Sequence, residues 1–251
     1  MSASAAGISS LPGWVADALR LFFPSRCMIC RKRLVEDEHQ VCAACFHRLP
    51  FTGLHGRPGN VVERLFWEKV PVARANAYLR YQQGAESRNL FFNLKYYDRP
   101  QVGRYFGRLM AADVVSYGFF EGIDCIIPLP LSRQRERRRG YNQSYELACG
   151  VADYTGLPVE TQAVVRTVDN PSQTRKRSFE RQENVRDIFS LRDAGRLAHR
   201  HVLLVDDILT TGATLLSCAR EIAKAEDVRI SILVLGLAGR HFRSGLRDVE
   251  P

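Results

Sequence analysis

A run of hydrophobic residues that leads into two adjacent acids and then into a turn of small residues most constrains the fold of this 251-residue chain. Residues 201–205 have the composition of a buried strand, Asp206 and Asp207 follow directly, and residues 210–214 read Thr-Thr-Gly-Ala-Thr. Residues 214–225 then show the apolar spacing of an amphipathic helix. A strand that passes through a tight turn into a helix is typical of the crossover units that build parallel sheets.

Strand-like and helical segments alternate along most of the chain after residue 60. Helical apolar spacing occurs in residues 99–117 and 141–154. Short apolar runs typical of strands lie at residues 75–81, 125–127, 163–166 and 228–238. The alternation predicts an α/β fold with a parallel sheet covered on both faces, and its functional loops should gather at the carboxyl ends of the strands.

The turn at residues 210–214 is suited to binding a phosphate group. Its backbone N–H groups would stand at a helix N-terminus, where they lack intrahelical acceptors and where the helix dipole adds partial positive charge. The preceding carboxylates accept hydrogen bonds and could bind the vicinal hydroxyls of a sugar. Further donors and close backbone approach come from the residues of the turn, Thr210, Thr211, Gly212, Ala213 and Thr214. The alternative is that the acids cap the helix and the threonines satisfy a turn.

A second loop, rich in arginine, follows the apolar run at residues 125–127. Leu131, Ser132 and Arg133 open it, and further guanidinium groups come from Arg135, Arg137, Arg138 and Arg139. Arginine forms paired hydrogen bonds to phosphate oxygens, so this loop could neutralise a diphosphate. The alternative is the solvated start of a basic helix.

A long polar stretch, residues 172–185, separates two predicted strands. Long loops at this place in an α/β fold are often lids that exclude water from a reacting centre. The candidate lid residues are Gln173, Thr174, Arg175, Arg177, Arg181 and Asn184. A surface insertion without fixed structure is the alternative.

Two C-x-x-C pairs near the start of the chain predict a metal site. They consist of Cys27 with Cys30 and of Cys42 with Cys45, a spacing that lets four thiolates converge on one tetrahedral zinc ion. Four thiolates close the coordination shell, so the predicted zinc is structural. A redox role is the alternative, although one C-x-x-C pair would suffice for it.

The strand, acids and turn at residues 201–214 resemble the phosphoribosyl-diphosphate (PRPP) motif of type I phosphoribosyltransferases. The resemblance implies that residues 210–214 hold the 5′-phosphate and that Asp206 and Asp207 contact the ribose hydroxyls. It also implies Mg²⁺ carried on the diphosphate and ribose oxygens of PRPP, with few direct protein ligands. No catalytic residue follows from the resemblance, because it defines no acceptor.

Further motifs make the chain similar to the ComF family. These are Pro-Leu-Pro at residues 128–130, Arg-Gly-Tyr-Asn-Gln-Ser at 139–144, the polar loop at 173–184, and an early basic residue, Lys95. The family implies a phosphoribosyltransferase-like domain and, in some bacteria, a role in natural competence, the import of single-stranded DNA.

The leading hypothesis is transfer of a 5-phosphoribosyl group from PRPP to an unknown acceptor with release of diphosphate. One alternative is a protein without turnover, which binds PRPP or a nucleotide or handles single-stranded DNA during DNA uptake. Another is a zinc-ribbon protein that interacts with the DNA-uptake machinery. The formal charge of +9 favours polyanionic partners but does not choose between phosphorylated metabolites and nucleic acid. Whether the chain is an enzyme, and its oligomeric state, stay open.

Two domains and a cytoplasmic location are expected. A cluster of Gly, Pro and Asn at residues 53–60 separates an N-terminal helix and zinc module, residues 1–52, from a phosphoribosyltransferase-like domain, residues 61–240. No apolar stretch approaches the roughly 20 residues of a membrane span, and the apolar run at residues 11–23 lacks the features of a secretory signal.

Overall fold

The computed structural model describes residues 25–81, 87–96, 100–167 and 188–238. The helix predicted at residues 11–23, the candidate lid at residues 173–184 and the side chain of Lys95 lie outside what it describes. The chain divides into two compact units between Leu49 and Pro50. The domain bounds 1–52 and 61–240 stay a prediction, although this division falls close to the end of the first.

The smaller unit is built around a short turn and one helical segment. Arg26 and Arg33 form an antiparallel bridge, and the turn between them is closed by a hydrogen bond from Cys27 N–H to Lys32 O at 2.8 Å. Helix α1 follows at Ala43–His47. The turn and the start of α1 therefore bring the two C-x-x-C pairs to one place.

The larger unit alternates helices and strands along most of its length. Its elements are α2 (Val61–Arg64), β1 (Val72–Tyr81), α3 (Ser87–Tyr96), α4 (Pro100–Val115), β2 (Cys125–Pro128), α5 (Arg133–Arg139), α6 (Gln143–Thr155), β3 (Val164–Arg166), β4 (Phe189–Leu191), β5 (His201–Leu209), α7 (Ala213–Ile222) and β6 (Arg229–Ala238). None of the helices in the described ranges is long and apolar enough to span a bilayer.

Four parallel strands form the main sheet in the order β1-β6-β5-β2. This arrangement confirms the predicted α/β class. The short strand β3 pairs antiparallel with β4 in a separate two-stranded sheet, a partner that the sequence pattern did not indicate. Strand β5 is also longer than the predicted 201–205, because β6 offers backbone partners as far as Leu237. Asp206 and Asp207 therefore lie in the last part of the strand rather than after it.

Helices cover both faces of the sheet. Leu215, Cys218 and Ile222 of α7 pack in one core with alternate strand residues such as Val202 and Ile230. The strand residues between them point to the opposite face, where α4 and α6 pack on the sheet and on each other. A Cβ on Gly107 of α4 would collide with the carbonyl of Leu147 of α6, so glycine permits this close packing.

Candidate functional site

The four cysteines of the smaller unit converge as the spacing predicted. Their Sγ atoms all lie within 4.8 Å of one another, and those of Cys30 and Cys42 are 3.7 Å apart. Tetrahedral coordination with Zn–S bonds of about 2.3 Å places sulfurs about 3.8 Å apart. The cluster therefore fits one zinc ion held by Cys27, Cys30, Cys42 and Cys45. The nearby His39 and His47 are exposed and are not part of it.

Backbone N–H groups stabilise the thiolate form of Cys27. Burial raises the pKa of Cys27, but the backbone N–H groups of Cys30, Cys42 and Ile29 outweigh that effect and lower it to about 7. Burial and the other cysteines of the cluster raise the pKa of Cys45 to about 12, although the guanidinium of Arg48 donates to its Sγ at 3.8 Å. A bound cation is what allows four such sulfurs to be deprotonated together. Four protein ligands leave no open position, so the site suits a structural zinc.

A cavity of about 300 Å³ opens at the carboxyl end of β5. The residues that line it are Leu129, Pro130, Leu131, Arg135, Arg139, Asn142, Gln143, Ser144, Arg166, Ile188, Asp206, Asp207, Ile208, Leu209, Thr210, Gly212, Thr214 and Leu215. The cavity therefore joins the acids and the small-residue turn to side chains from α5, α6 and β3. Its position is the one expected for ligand binding in a parallel sheet.

Asp206 is held in a fixed orientation at the cavity wall. It is 7% exposed, and its Oδ1 accepts hydrogen bonds from Ser144 Oγ at 2.9 Å and from Asp207 N–H at 2.8 Å. These two donors orient the carboxylate at the cavity wall, and a carboxylate can accept several hydrogen bonds. Asp207 is half-buried and also lines the cavity.

The turn between β5 and α7 has the backbone geometry of an anion site. Gly212 has a φ of 78° and is the N-cap of α7, a conformation that favours glycine. Thr210, Gly212 and Thr214 line the cavity. Thr211 is exposed, and its Oγ1 accepts from Ala213 N–H at 3.4 Å. The first N–H groups of α7 therefore lie beside the space that Asp206 and Asp207 also face.

The arginine-rich segment is helical from Arg133 onward, where the sequence suggested a loop. Leu131 lines the cavity, whereas Ser132 is 2% exposed and accepts from Arg135 N–H at 3.4 Å as the N-cap of α5. Arg133 is exposed and is not part of the cavity wall. Arg135 and Arg139 provide the guanidinium groups instead. Their spacing of four residues places both on one helical face, a signal that the sequence did contain.

Arg139 is anchored in the cavity wall. Its Nη1 donates to Gln143 Oε1 at 2.6 Å, and its buried Nε has no partner among the described residues. Gln143 is 2% exposed, so the guanidinium is held by a side chain that is itself fixed. An unpaired buried donor in a cavity wall is ready to bind an anionic ligand.

Several lining residues are not among the site residues that the sequence predicts. Asn142 and Ser144 lie in the Arg-Gly-Tyr-Asn-Gln-Ser string, which the sequence presents only as a family motif. Asn142 caps α6 by accepting from Ser144 N–H at 3.0 Å and donates to Leu129 O at 3.1 Å, so it joins α6 to the end of β2. Arg166 and Ile188 reach the cavity from the region of the two-stranded sheet.

Comparisons with known proteins agree with these sites. Residues 18–56 match the double zinc ribbon domain, and residues 142–244 match the phosphoribosyl transferase domain. Competence protein F of Haemophilus influenzae is 26% identical over 224 residues, which is 83% of this chain and 96% of that protein. The DNA utilization protein YhgH of Salmonella typhi is 26% identical over 211 residues, or 80% of this chain and 91% of that protein.

Among solved structures, the glutamine PRPP amidotransferase of Bacillus subtilis, complexed with ADP and GMP, aligns with a TM-score of 0.38 and 19% identity. The alignment covers 57% of this chain and 30% of that one.

The parallel sheet, the strand-turn-helix cavity and the four-cysteine cluster define a phosphoribosyltransferase-like protein with an N-terminal zinc module. Among proteins of this class, the chain resembles the ComF family in its motifs and is similar to competence protein F.

Proposed function

We propose that the cavity binds PRPP together with Mg²⁺ and supports transfer of the 5-phosphoribosyl group to a nucleophile, with release of diphosphate. The observation that carries this proposal is the convergence of three kinds of group on one cavity. Carboxylates come from β5, backbone N–H groups from the start of α7, and guanidinium groups from α5. These groups complement the ribose hydroxyls, the 5′-phosphate and the diphosphate of PRPP, respectively.

Each end of the ligand would have its own set of contacts. The turn at residues 210–214 would hold the 5′-phosphate through N–H groups and hydroxyls. The carboxylates of Asp206 and Asp207 would accept from the ribose hydroxyls. Arg135 and Arg139, with the loop at Leu131, would bind the diphosphate.

The proposed reaction exchanges one bond at the anomeric carbon for another. The bond from this carbon to the diphosphate oxygen breaks, and diphosphate leaves with the electron pair. The acceptor forms a new bond to the same carbon and loses a proton. Positive charge that develops on the ribose is stabilised by the nearby carboxylates, and the departing negative charge is stabilised by Arg135 and Arg139. Positioning and charge stabilisation would therefore be the protein's contribution.

Magnesium fits the donors present. It prefers carboxylate and phosphate oxygens, and Asp206 and Asp207 present carboxylates to the cavity. When PRPP is bound, the metal would neutralise negative charge on its diphosphate.

Calorimetry tests this proposal directly. PRPP should bind at least about tenfold more tightly than ribose 5-phosphate in the presence of Mg²⁺, because only PRPP reaches the guanidinium groups. A chelator should remove most of that difference. Equal affinity for the two ligands would exclude a diphosphate subsite. Turnover is then tested by diphosphate release with candidate nucleophiles.

A second candidate function is the handling of single-stranded DNA, which the names of the relatives suggest. Trp67 and Tyr117 are 52% and 53% exposed. Their rings lie beside Gly59 and Gly56, respectively, which flank the exposed Arg57. Exposed aromatic rings next to basic side chains suit the stacking of unpaired bases. Binding of an oligonucleotide that weakens steeply with salt, and that is reduced in Trp67→Ala and Tyr117→Ala, would support this function.

We also propose that the protein acts in the cytoplasm. The cysteines of the described residues are free thiols, and four of them form the metal cluster. Paired cysteines that bind a metal instead of forming disulfides are typical of reducing compartments. Cell fractionation tests the location.

A further inference from the structure

A group of polar side chains lies at the amino-terminal edge of the parallel sheet, opposite the edge that carries the cavity, and two of them have buried polar atoms while Arg229 is exposed. His201 begins β5, Arg229 begins β6, and Arg74 lies near the start of β1. His201 is only 4% exposed, yet its Nδ1 has no partner among the described residues. The buried Nη1 of Arg74 also has none within that part of the chain. Native structures seldom leave buried polar atoms unpaired, so these atoms point to something that binds them.

The sheet register puts these side chains on one face. His201 is paired with Arg229, and Arg74 is paired with Ser231, two residues further along β6. Paired residues of neighbouring strands, and residues two apart on one strand, share a face. The contact of 2.9 Å between His201 Nε2 and Ser231 Oγ agrees with this placement. Nδ1 is therefore the ring nitrogen left to meet a ligand.

Gly122 leaves space beside these nitrogens. A Cβ on this glycine would lie 3.4 Å from Arg229 Nη2 and 3.9 Å from His201 Nδ1. A guanidinium and an imidazole from neighbouring strands thus face the same point. Arg74 lies on the same face of the sheet, and its Nη2 is 3.7 Å from the carboxylate of Glu121, the residue before Gly122.

Positive charge dominates this location. Burial lowers the pKa of His201, and the charges of Arg229 and Arg74 lower it further, whereas Asp124 acts in the opposite direction. Asp124 Oδ2 accepts from the backbone N–H of His201 at 2.8 Å, whereas Nε2 of the ring contacts Ser231 Oγ and Nδ1 has no partner among the described residues. Glu121 is 77% exposed, which makes its ion pair with Arg74 weak and screened by solvent. The two acids therefore leave an excess of cationic donors facing the gap.

We propose that Arg74, Arg229 and His201 form a binding site for a small oxyanion of the phosphate or sulfate class. Guanidinium groups bind tetrahedral oxyanions through paired hydrogen bonds. The imidazole donates from Nδ1 when Ser231 Oγ donates to Nε2. His201 and Asp206 are five residues apart on one strand, about 16 Å. An anion at this edge is therefore separate from any phosphate in the cavity.

The test is a titration followed at His201 by nitrogen NMR of the full chain with ¹⁵N-labelled histidine. Inorganic phosphate is added at constant ionic strength, with chloride as the balancing anion, and sulfate is used in a second series. We expect a saturable shift of Nδ1 for both oxyanions. Arg229→Gln should weaken the apparent affinity at least about fivefold, because one charged donor is lost. Arg220→Gln changes an exposed arginine of α7 and should leave the affinity unchanged.

Two further results decide the outcome. The double variant Asp206→Asn with Asp207→Asn should keep the shift at His201, which separates this site from the cavity. If phosphate moves the His201 signals no more than chloride does, or if Arg229→Gln and Arg220→Gln titrate alike, the proposal is overturned. An ordered water then bridges the unpaired nitrogens.

Discussion

Ser144 Oγ lies 2.9 Å from Asp206 Oδ1, although 62 residues separate the two along the chain. Ser144 is in the first turn of α6, and Asp206 is near the end of β5. The hydroxyl helps to orient the carboxylate, which lines the cavity. The contact therefore brings together two motifs that are far apart in the sequence, the Arg-Gly-Tyr-Asn-Gln-Ser string and the pair of acids.

Ser144→Ala should weaken PRPP binding without unfolding the protein. Asp206 loses one of the two hydrogen bonds to Oδ1, so its carboxylate is less well oriented. Loss of a hydrogen bond to a charged group costs about 1.5–3 kcal/mol, which corresponds to roughly a tenfold to hundredfold rise in Kd. Calorimetry measures it, with thermal denaturation as the control. An unchanged Kd would mean that Asp207 and the turn orient the ribose without Asp206.

Arg139→Gln and Arg133→Gln should differ in their effect on the diphosphate. Arg139 lines the cavity and is held by Gln143, whereas Arg133 is exposed outside it. We expect Arg139→Gln to reduce PRPP affinity at least about tenfold and to leave ribose 5-phosphate affinity nearly unchanged. Arg133→Gln serves as the matched control in the same helix. Equal losses in both variants would indicate a general effect of positive charge rather than a specific contact.

Cys42→Ser should remove most of the zinc. The Sγ atoms of Cys30 and Cys42 are 3.7 Å apart and both belong to the four-sulfur cluster. A structural zinc site contributes directly to folding, so the melting temperature of the smaller unit should also fall. Metal analysis measures the zinc content, and Cys149→Ser is the control because Cys149 lies in α6, outside the cluster. Full zinc occupancy in Cys42→Ser would exclude this cysteine as a ligand.

The parts of the sites that depend on short sequence spacing could be predicted from the sequence. The two C-x-x-C pairs and the turn around Gly212 are local patterns whose geometry follows from a few consecutive residues. The contact between Ser144 and Asp206 could not be predicted, because it depends on how α6 packs against β5. Pairing of β3 with β4 is non-local in the same way.

Which arginines of α5 face the cavity is a second feature that the sequence alone does not predict. The sequence indicates a basic segment after β2, and a loop there favours Arg133, whereas a helix leaves the choice among the arginines open. In a helix that begins at Arg133, residues four apart share a face, and the face that meets the cavity carries Arg135 and Arg139. The orientation of α5 relative to the sheet decides which face that is, and no local pattern specifies it.

Asp206→Asn combined with Asp207→Asn should abolish PRPP binding while the fold stays intact. An amide at position 206 keeps an oxygen that accepts from Ser144 Oγ and Asp207 N–H, so the local hydrogen bonds survive. Its nitrogen then presents a donor where a ribose hydroxyl needs an acceptor. Each lost charge-assisted bond is worth about 1.5–3 kcal/mol, so affinity should fall at least about tenfold per site. If the acids served only the helix and the turn, the double variant would instead melt earlier and still bind PRPP. Calorimetry and thermal denaturation on one preparation distinguish these outcomes, and an unchanged affinity would contradict the assignment of the ribose site.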